Sequence, residues 1–131
     1  MTDVRDWIVL VVDDEQDNLG VANVALTFYG ATVYTAQNGL EGIEVMHKFT
    51  PSLILLDLSM PEMDGWEMLK QLKANPLWEY IPVIAVTAHV LEEDRKRVQE
   101  AGFDGYIPKP FRIANLVSSI QAVLRERHFN R

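Results

Sequence analysis

The chain has 131 residues, no cysteine, a hydrophobic fraction of 48% and a formal net charge of −7 at pH 7. This length suffices for one domain that buries roughly 65 to 70% of its unfolded surface, and the composition excludes a disordered chain or a coiled coil. The acidic charge argues against nucleic acid as the main partner, and the lack of cysteine excludes a disulfide framework and a thiolate metal site.

The N-terminal residues Met1–Asp6 lack the basic and then apolar order of a signal peptide. No apolar run approaches the ~18 residues of a membrane span. We therefore expect a cytoplasmic protein without a membrane segment. We also expect one domain over residues 1–131, with a core at about 7–127, and no attached DNA-binding or catalytic module.

The first two predicted strands differ in character. Trp7–Val12 is an apolar run that predicts the first strand and ends at Asp13-Asp14-Glu15. Apolar residues at three- and four-residue steps then predict a helix from Asn18 to Tyr29. The acidic run by itself would equally fit a helix start. Thr32–Ala36 alternates as a half-buried or edge strand does, and a short helix follows it and ends before Pro51.

The third predicted strand leads directly into an acid. Leu53–Leu56 is a continuous apolar run, which suits a strand buried on both faces, and Asp57 follows it. Pro61 and Gly65 predict a loop that leads into the next helix. Asp57 therefore lies at the carboxyl end of a buried strand, where open α/β sheets bind ligands, although a capping or turn aspartate fits this position alone equally well.

The rest of the chain continues the alternation. Ile81–Val86 predicts a fourth strand with Thr87 at its end, and Val90–Ala101 predicts a helix with a thin apolar stripe. The charged residues of this helix suggest two i,i+4 pairs on a solvated face, Glu92/Lys96 and Glu93/Arg97.

The last strand and helix close the pattern. Asp104–Ile107 predicts a short fifth strand ahead of Lys109, and the apolar stripe from Ile113 to Leu124 predicts the final helix. Arg125–Arg131 is expected to be an exposed basic end.

This alternation predicts an α/β fold, namely a doubly wound five-stranded parallel sheet, (βα)5, with the flavodoxin-like strand order 2-1-3-4-5. In that order the second strand lies on one side of the first strand and the third strand lies on the other side. The switch point of the sheet is therefore between the first and third strands, next to Asp13, Asp14 and Asp57. Thr87 and Lys109 end the fourth and fifth strands. All five polar side chains are therefore expected at one edge of the sheet.

Such a cluster has a definite chemistry. Two like charges ~4 Å apart cost roughly 4 kcal/mol at an effective dielectric of ~20, so the carboxylates require raised pKa values or a cation. Oxygen ligands without His or Cys favour Mg²⁺, which keeps coordination places for water and phosphate. Asp57 can then act as a nucleophile toward a phosphoryl group, with Thr87 and Lys109 bonding its oxygens, and the product is an aspartyl phosphate.

The same residues form a pattern that resembles the sequence signature of a known protein family. The sequence closely resembles the receiver domains of two-component response regulators along nearly its whole length, through Asp13-Asp14, Asp57, Met60-Pro61-x-Met63-Asp64-Gly65, Thr87-Ala88 and Lys109-Pro110. The resemblance implies that Asp14, Asp57 and the backbone carbonyl of Ser59 bind Mg²⁺ and that Asp13 assists. It also implies a cis peptide at Lys109–Pro110.

The resemblance further implies a signalling role. A sensor histidine kinase or a histidine phosphotransfer protein would supply the phosphoryl group, and Thr87 and Tyr106 would act as the conformational switch. A target protein would bind the face of the fourth helix, fifth strand and fifth helix, or the phosphoryl group would pass onward in a relay. Such a domain is a switch and not a turnover enzyme. Ser59 and His89 lie where family members tune access of water to the acyl phosphate.

Three other functions would fit part of this residue pattern. Phosphatases that resemble haloacid dehalogenase also use a strand-end aspartate and Mg²⁺, but they place a second acid two residues later, where this chain has Ser59. A flavodoxin-like module would need a phosphate-binding loop in place of the acidic turn. The third is a receiver-like interaction module that works without phosphorylation, which the intact set of five residues disfavours.

Overall fold

Residues 3–88 and 91–129 are described here from a computed structural model, without the side chains of residues 128 and 129. Within them a short 3-10 helix, Val4–Asp6, precedes five strands that alternate with five helices. The strands are β1 (Ile8–Val12), β2 (Thr32–Ala36), β3 (Leu53–Asp57), β4 (Val83–Thr87) and β5 (Gly105–Pro108). The helices are α1 (Gln16–Phe28), α2 (Gly39–Lys48), α3 (Gly65–Ala74), α4 (Glu92–Ala101) and α5 (Ile113–Phe129).

The five strands form one parallel sheet in the order β2-β1-β3-β4-β5. This confirms the predicted doubly wound fold and its strand order. Val9 of β1 lies opposite Val33 of β2 and Leu53 of β3, so β1 has a strand on either side. The point at which the strand order reverses therefore lies between β1 and β3.

Side chains of successive strand residues point to opposite faces of the sheet and build two apolar cores. One core contains Val9, Leu55 and Ile84 and packs against α1 and α5. The other contains Leu10 and Leu56 and packs against α2, α3 and α4. Every residue of β3 is buried because the strand has a neighbour on each side and helices over both faces. The core thus holds the end of β3 in a fixed position.

Most element boundaries differ from the predicted ones by one or two residues, whereas α5 continues to Phe129, five residues beyond the predicted stripe. Helix α1 begins at Gln16, two residues before the predicted start, and strand β4 runs from Val83 to Thr87 instead of starting at Ile81. Helix α4 begins at Glu92 within the described residues, and His89 and Val90 lie outside them. The predictions on these two residues are therefore not addressed by the structure.

Two predictions on charged residues are confirmed only in part, since the charged residues of α4 lie on a solvated face as predicted and Arg125 is exposed. Within the described residues the pairs Glu92/Lys96 and Glu93/Arg97 form no ion pair, since exposed side chains gain little from such contacts. The predicted exposed basic end is also not wholly exposed: the Nε atom of Arg127 donates to Asp104 Oδ1 at 2.9 Å, and the Arg127 side chain is 21% exposed. None of the described helices combines the length and the apolar character of a membrane span.

Candidate functional site

Four strands deliver polar residues to one edge of the sheet. Asp13 follows β1, Asp57 ends β3, Thr87 ends β4, and Lys109 follows β5. Asp13, Asp57 and Thr87 are each at most 4% exposed, although their neighbours along the strands are apolar. Burying polar groups is costly unless they have bonding partners. Three such residues at one edge of the sheet therefore indicate a binding or reactive site rather than apolar packing alone.

The Lys109 ammonium connects two of the carboxylates. Its Nζ atom lies 3.0 Å from Asp13 Oδ2 and 3.2 Å from Asp57 Oδ1, and the Lys109 side chain is 14% exposed. The backbone N–H of Lys109 donates to the Thr87 carbonyl at 2.9 Å, which extends the pairing of β4 and β5 to this residue. The Lys109–Pro110 peptide bond is cis, the geometry that the resemblance implied.

Asp13 is held by the first turn after β1. Its Oδ1 atom accepts from the Glu15 backbone N–H at 2.9 Å and from Asn18 Nδ2 at 3.4 Å. Asn18 was not among the predicted site residues, and its only signal in the sequence is its place one helical turn beyond the acidic run. These bonds leave Asp13 Oδ2 to face Lys109.

The loop after β3 fits closely against the backbone of Asp57. The Gly65 N–H donates to the Leu58 carbonyl at 3.1 Å, and a Cβ atom on Gly65 would overlap the Asp57 carbonyl oxygen. Asp64 caps α3 by accepting from the Glu67 N–H at 2.9 Å, which starts the helix immediately after the loop. Only glycine fits at position 65, and this explains the Asp-Gly pair in the motif.

Three carboxylates lie close enough to share one cation. Asp13, Asp14 and Asp57 each offer an oxygen, and these oxygens all lie within 4.8 Å of one another. Asp14 is exposed, whereas the other two residues are buried. An oxygen-only donor set with an open, solvated side fits a hard divalent cation such as Mg²⁺. These residues therefore fit the ion that the resemblance implies.

The remaining predicted residues lie close to this cluster in the chain or the sheet. The exposed Ser59 donates its N–H to Asp57 Oδ1 at 3.3 Å, and the role of its carbonyl as a ligand stays a prediction. Tyr106 pairs with Ala85 in the sheet, two residues before Thr87, and its ring is half-buried outside the acidic cluster.

Burial and the neighbouring charge of Asp13 raise the pKa of Asp57 to about 6, although Lys109 acts in the opposite direction. Burial by itself would lower the pKa of Lys109, but its bonds to Asp13 and Asp57 raise that pKa above its ordinary value. At neutral pH the site thus holds an ionised Asp57 beside a charged lysine, and its acids outnumber its cations. The net negative charge of this cluster favours the binding of a cation.

Known proteins share this sequence pattern and fold. Residues 9–121 match the family described as the response regulator receiver domain. The chain is 33% identical over 116 residues to the polar-differentiation response regulator DivK of Brucella anthropi, which covers 88% of this chain and 94% of that protein.

Solved structures agree with this match. The chemotaxis response regulator CheY4 of Vibrio cholerae has a TM-score of 0.84 at 27% identity, over 89% of this chain and 98% of that one. The receiver domain of a signal transduction histidine kinase from Syntrophus aciditrophicus has a TM-score of 0.80 at 31% identity, over 92% and 91% of the two chains. The chain therefore belongs to the response regulator receiver domain family of two-component signalling systems.

Proposed function

We propose that this receiver accepts a phosphoryl group from a phosphohistidine donor onto Asp57, in a reaction that requires Mg²⁺. One observation carries the proposal. The buried Asp57 carboxylate contacts the Lys109 ammonium at 3.2 Å and shares a cluster of carboxylate oxygens with Asp13 and Asp14. Burying like charges together is costly, and a site that binds a cation and a phosphoryl group gains from having them there.

In this proposal Asp14, Asp57 and the Ser59 carbonyl hold the ion, and Asp13 assists directly or through water. The bound ion supplies positive charge for the oxygens of the phosphoryl group. Asp13 has a second task, because its contact of 3.0 Å with Lys109 Nζ holds the ammonium beside Asp57. The protein thus places charge before the donor arrives.

The transfer step follows from this arrangement. A carboxylate oxygen of Asp57 bonds to phosphorus, the P–N bond of the phosphohistidine breaks, and its electron pair returns to the imidazole nitrogen. Lys109 bonds one oxygen of the transferred group, and the Thr87 hydroxyl donates to another. The product is an acyl phosphate on Asp57. Positioning and charge stabilisation provide most of the rate in such reactions.

Phosphorylation then shifts the equilibrium between two conformations that the unmodified domain already populates. Thr87 moves toward the phosphoryl group, and Tyr106 turns inward with it. The face of α4, β5 and α5 presents the change to a target protein, or the phosphoryl group moves on to a further histidine. A sensor histidine kinase or a histidine phosphotransfer protein is the donor. The domain acts as a switch in the cytoplasm and not as a turnover enzyme.

Intact-mass spectrometry after incubation with acetyl phosphate or phosphoramidate tests the proposal. The wild-type chain should gain one phosphoryl group with Mg²⁺ and none with EDTA. Asp57→Asn should gain none, whereas Asp64→Asn should gain one, because Asn caps a helix as well as Asp does. A wild-type chain that gains no phosphoryl group from any donor would favour an interaction module that works without phosphorylation.

A further inference from the structure

Helix α4 is held by few apolar contacts. Val98 is its one fully buried residue, whereas four residues of α5 are buried in the opposite core. The residue before α4, Leu91, makes no side-chain capping bond. A short helix with so little buried surface can change position at a small cost in free energy. Polar contacts of α4 therefore influence where it lies.

Two arginines of α4 supply such contacts. The Arg95 guanidinium lies over the Tyr106 ring with its Cζ atom 5.1 Å from the centroid. The Arg97 guanidinium lies over the Trp66 ring at 4.4 Å. Both arginines are exposed, and both rings are half-buried at the edge of one core. Guanidinium groups at this distance from an aromatic face are attracted to it, most strongly by tryptophan.

The ring beneath Arg97 belongs to the first turn of α3, which follows the loop after β3 and Asp57. Trp66 directly follows Gly65, whose N–H donates to the Leu58 carbonyl and whose Cα lies against the Asp57 backbone. The indole also meets Phe103 edge to face at 5.6 Å. The start of α3, which includes Trp66, is thus packed directly against the backbone at the end of β3.

The two arginines thus link α4 to two different strand ends. Arg95 contacts Tyr106 of β5, which is the predicted switch residue. Arg97 contacts Trp66, which follows the loop after β3. We infer that Arg97 is a positioning residue that couples the position of α4, through Trp66 at the start of α3, to the strand end that holds Asp57, separately from the contact between Arg95 and Tyr106. This inference rests on the proposed function, because it concerns how α4 senses the modification of Asp57.

Coupling of this kind is reciprocal. The coupling requires that the Arg97–Trp66 contact, present in the unmodified protein, loosens when α4 moves on modification of Asp57. The contact then stabilises the unmodified state relative to the modified one. Its loss should therefore favour the modified state. A cation–π contact at an exposed site corresponds to about a two- to fivefold change in an equilibrium constant. The affinity for a mimic of the phosphoryl group should rise by that factor.

The test uses beryllium fluoride, a stable stand-in for a carboxylate-bound phosphoryl group, with Mg²⁺ present. Isothermal titration calorimetry gives its apparent affinity for wild type, Arg97→Gln, Trp66→Leu and the double variant. Lys96→Gln is the matched control, because Lys96 is an exposed cation of the same helix with no aromatic ring beneath it in the described part of the chain. Arg97→Lys keeps the charge but not the planar guanidinium.

Each single variant of the Arg97–Trp66 pair should bind about two to five times more tightly than wild type, and the double variant should gain no more than the larger single effect. Lys96→Gln should match wild type, and Arg97→Lys should lie between wild type and Arg97→Gln. Additive effects in the double variant, or equal effects of Arg97→Gln and Lys96→Gln, overturn the coupling. Because Arg97 is exposed, Arg97→Gln should fold, and this variant decides the matter even if Trp66→Leu does not.

A failure of the coupling can be told apart from a failure of the proposed function. If wild type binds beryllium fluoride and accepts a phosphoryl group while Arg97→Gln behaves as wild type, only the coupling is wrong. If wild type neither binds the mimic nor gains a phosphoryl group by intact mass, the proposed function is wrong, and the coupling is wrong with it.

Discussion

Single residues in this receiver carry an electrostatic cost that a domain without a ligand site would avoid. Asp57 is only 4% exposed, and its nearest charged neighbours are one lysine and another buried acid, Asp13. Burial disfavours its ionised form, and the pKa of Asp57 rises from 3.8 to about 6. The ionised Asp57 carboxylate therefore destabilises the metal-free protein at neutral pH.

The first prediction concerns this cost. Below pH 3.8 the Asp57 carboxyl is protonated in both the folded and the unfolded chain. As the pH rises toward 6, only the unfolded chain loses this proton, so the contribution of Asp57 to stability falls and stays low above pH 6. One pKa unit corresponds to about 1.4 kcal/mol. Asp57→Asn should therefore raise the free energy of unfolding by about 3 kcal/mol at pH 7.5 in EDTA.

Urea unfolding with EDTA at pH 7.5 and at pH 4 measures the effect. The gain of Asp57→Asn over wild type should shrink at pH 4, and Asp64→Asn should show little change at either pH. An Asp57→Asn variant that is less stable than wild type at pH 7.5 would show that the contact with Lys109 outweighs the cost of burial.

Glycine 65 gives the second prediction. Its missing side chain allows the α3 start to contact the strand end, where a Cβ atom would meet the Asp57 carbonyl oxygen and lie 2.9 Å from Leu58 Cα. Both neighbours are backbone atoms that cannot rotate away. Gly65→Ala should therefore cost more than about 2 kcal/mol of stability and reduce phosphoryl transfer, because overpacking displaces the backbone that holds the nucleophile.

Gly20 provides the matched control. It lies inside α1, and a Cβ atom there would meet nothing within 4 Å. Gly20→Ala should stabilise the protein by about 0.5–1 kcal/mol through helix propensity. Chemical unfolding and intact-mass assays of the two variants decide the matter. Equal stability of the two alanine variants would contradict the role given to Gly65.

The secondary-structure elements show which features could be predicted from the sequence. Leu53–Leu56 predicts a buried strand because a strand covered on both faces is apolar at successive positions, and β3 has this environment. Helix α4 shows the limit. Its Glu93 and Arg97 have the spacing of an ion pair, but Arg97 lies over Trp66 instead. That contact depends on how α3 and α4 pack, which no local pattern encodes.

The C-terminal part of α5 gives an element-scale prediction. Asp104 accepts from the Val83 N–H at 2.8 Å and from Arg127 Nε at 2.9 Å, and Arg127 also donates to the Tyr80 carbonyl at 3.1 Å. These bonds join α5 to the beginning of β4. Arg127→Ala should cost about 1–2 kcal/mol of stability, because a half-buried acid loses its charged partner.

Asp104→Ala should cost more, because the Val83 N–H also loses its acceptor in that variant. The exposed Arg125 is the control, and Arg125→Ala should change stability by less than about 0.5 kcal/mol. Thermal and urea unfolding measure all three variants. If Arg127→Ala and Arg125→Ala are equally mild, the Asp104–Arg127 bond does not fasten α5.

At the scale of the whole molecule, the sheet topology explains why the residues of the site could be predicted from the sequence. Parallel strands with helical crossovers present their carboxyl ends at one edge, so polar residues that end β1, β3, β4 and β5 come together whatever their distance in the chain. Strand order and strand ends were enough to assemble Asp13, Asp57, Thr87 and Lys109. They were not enough to orient them, because the contacts of Lys109 with both acids depend on side-chain geometry.

The central claim is that Asp57, and neither of the acids beside it, carries the phosphoryl group. Borohydride reduces an acyl phosphate of aspartate to homoserine, and peptide mass spectrometry then locates the altered residue. After incubation with acetyl phosphate and Mg²⁺, we expect homoserine at position 57 and unaltered aspartate at Asp13 and Asp14. Homoserine at position 13 or 14, or an unaltered Asp57 in a chain that gained a phosphoryl group, would contradict it.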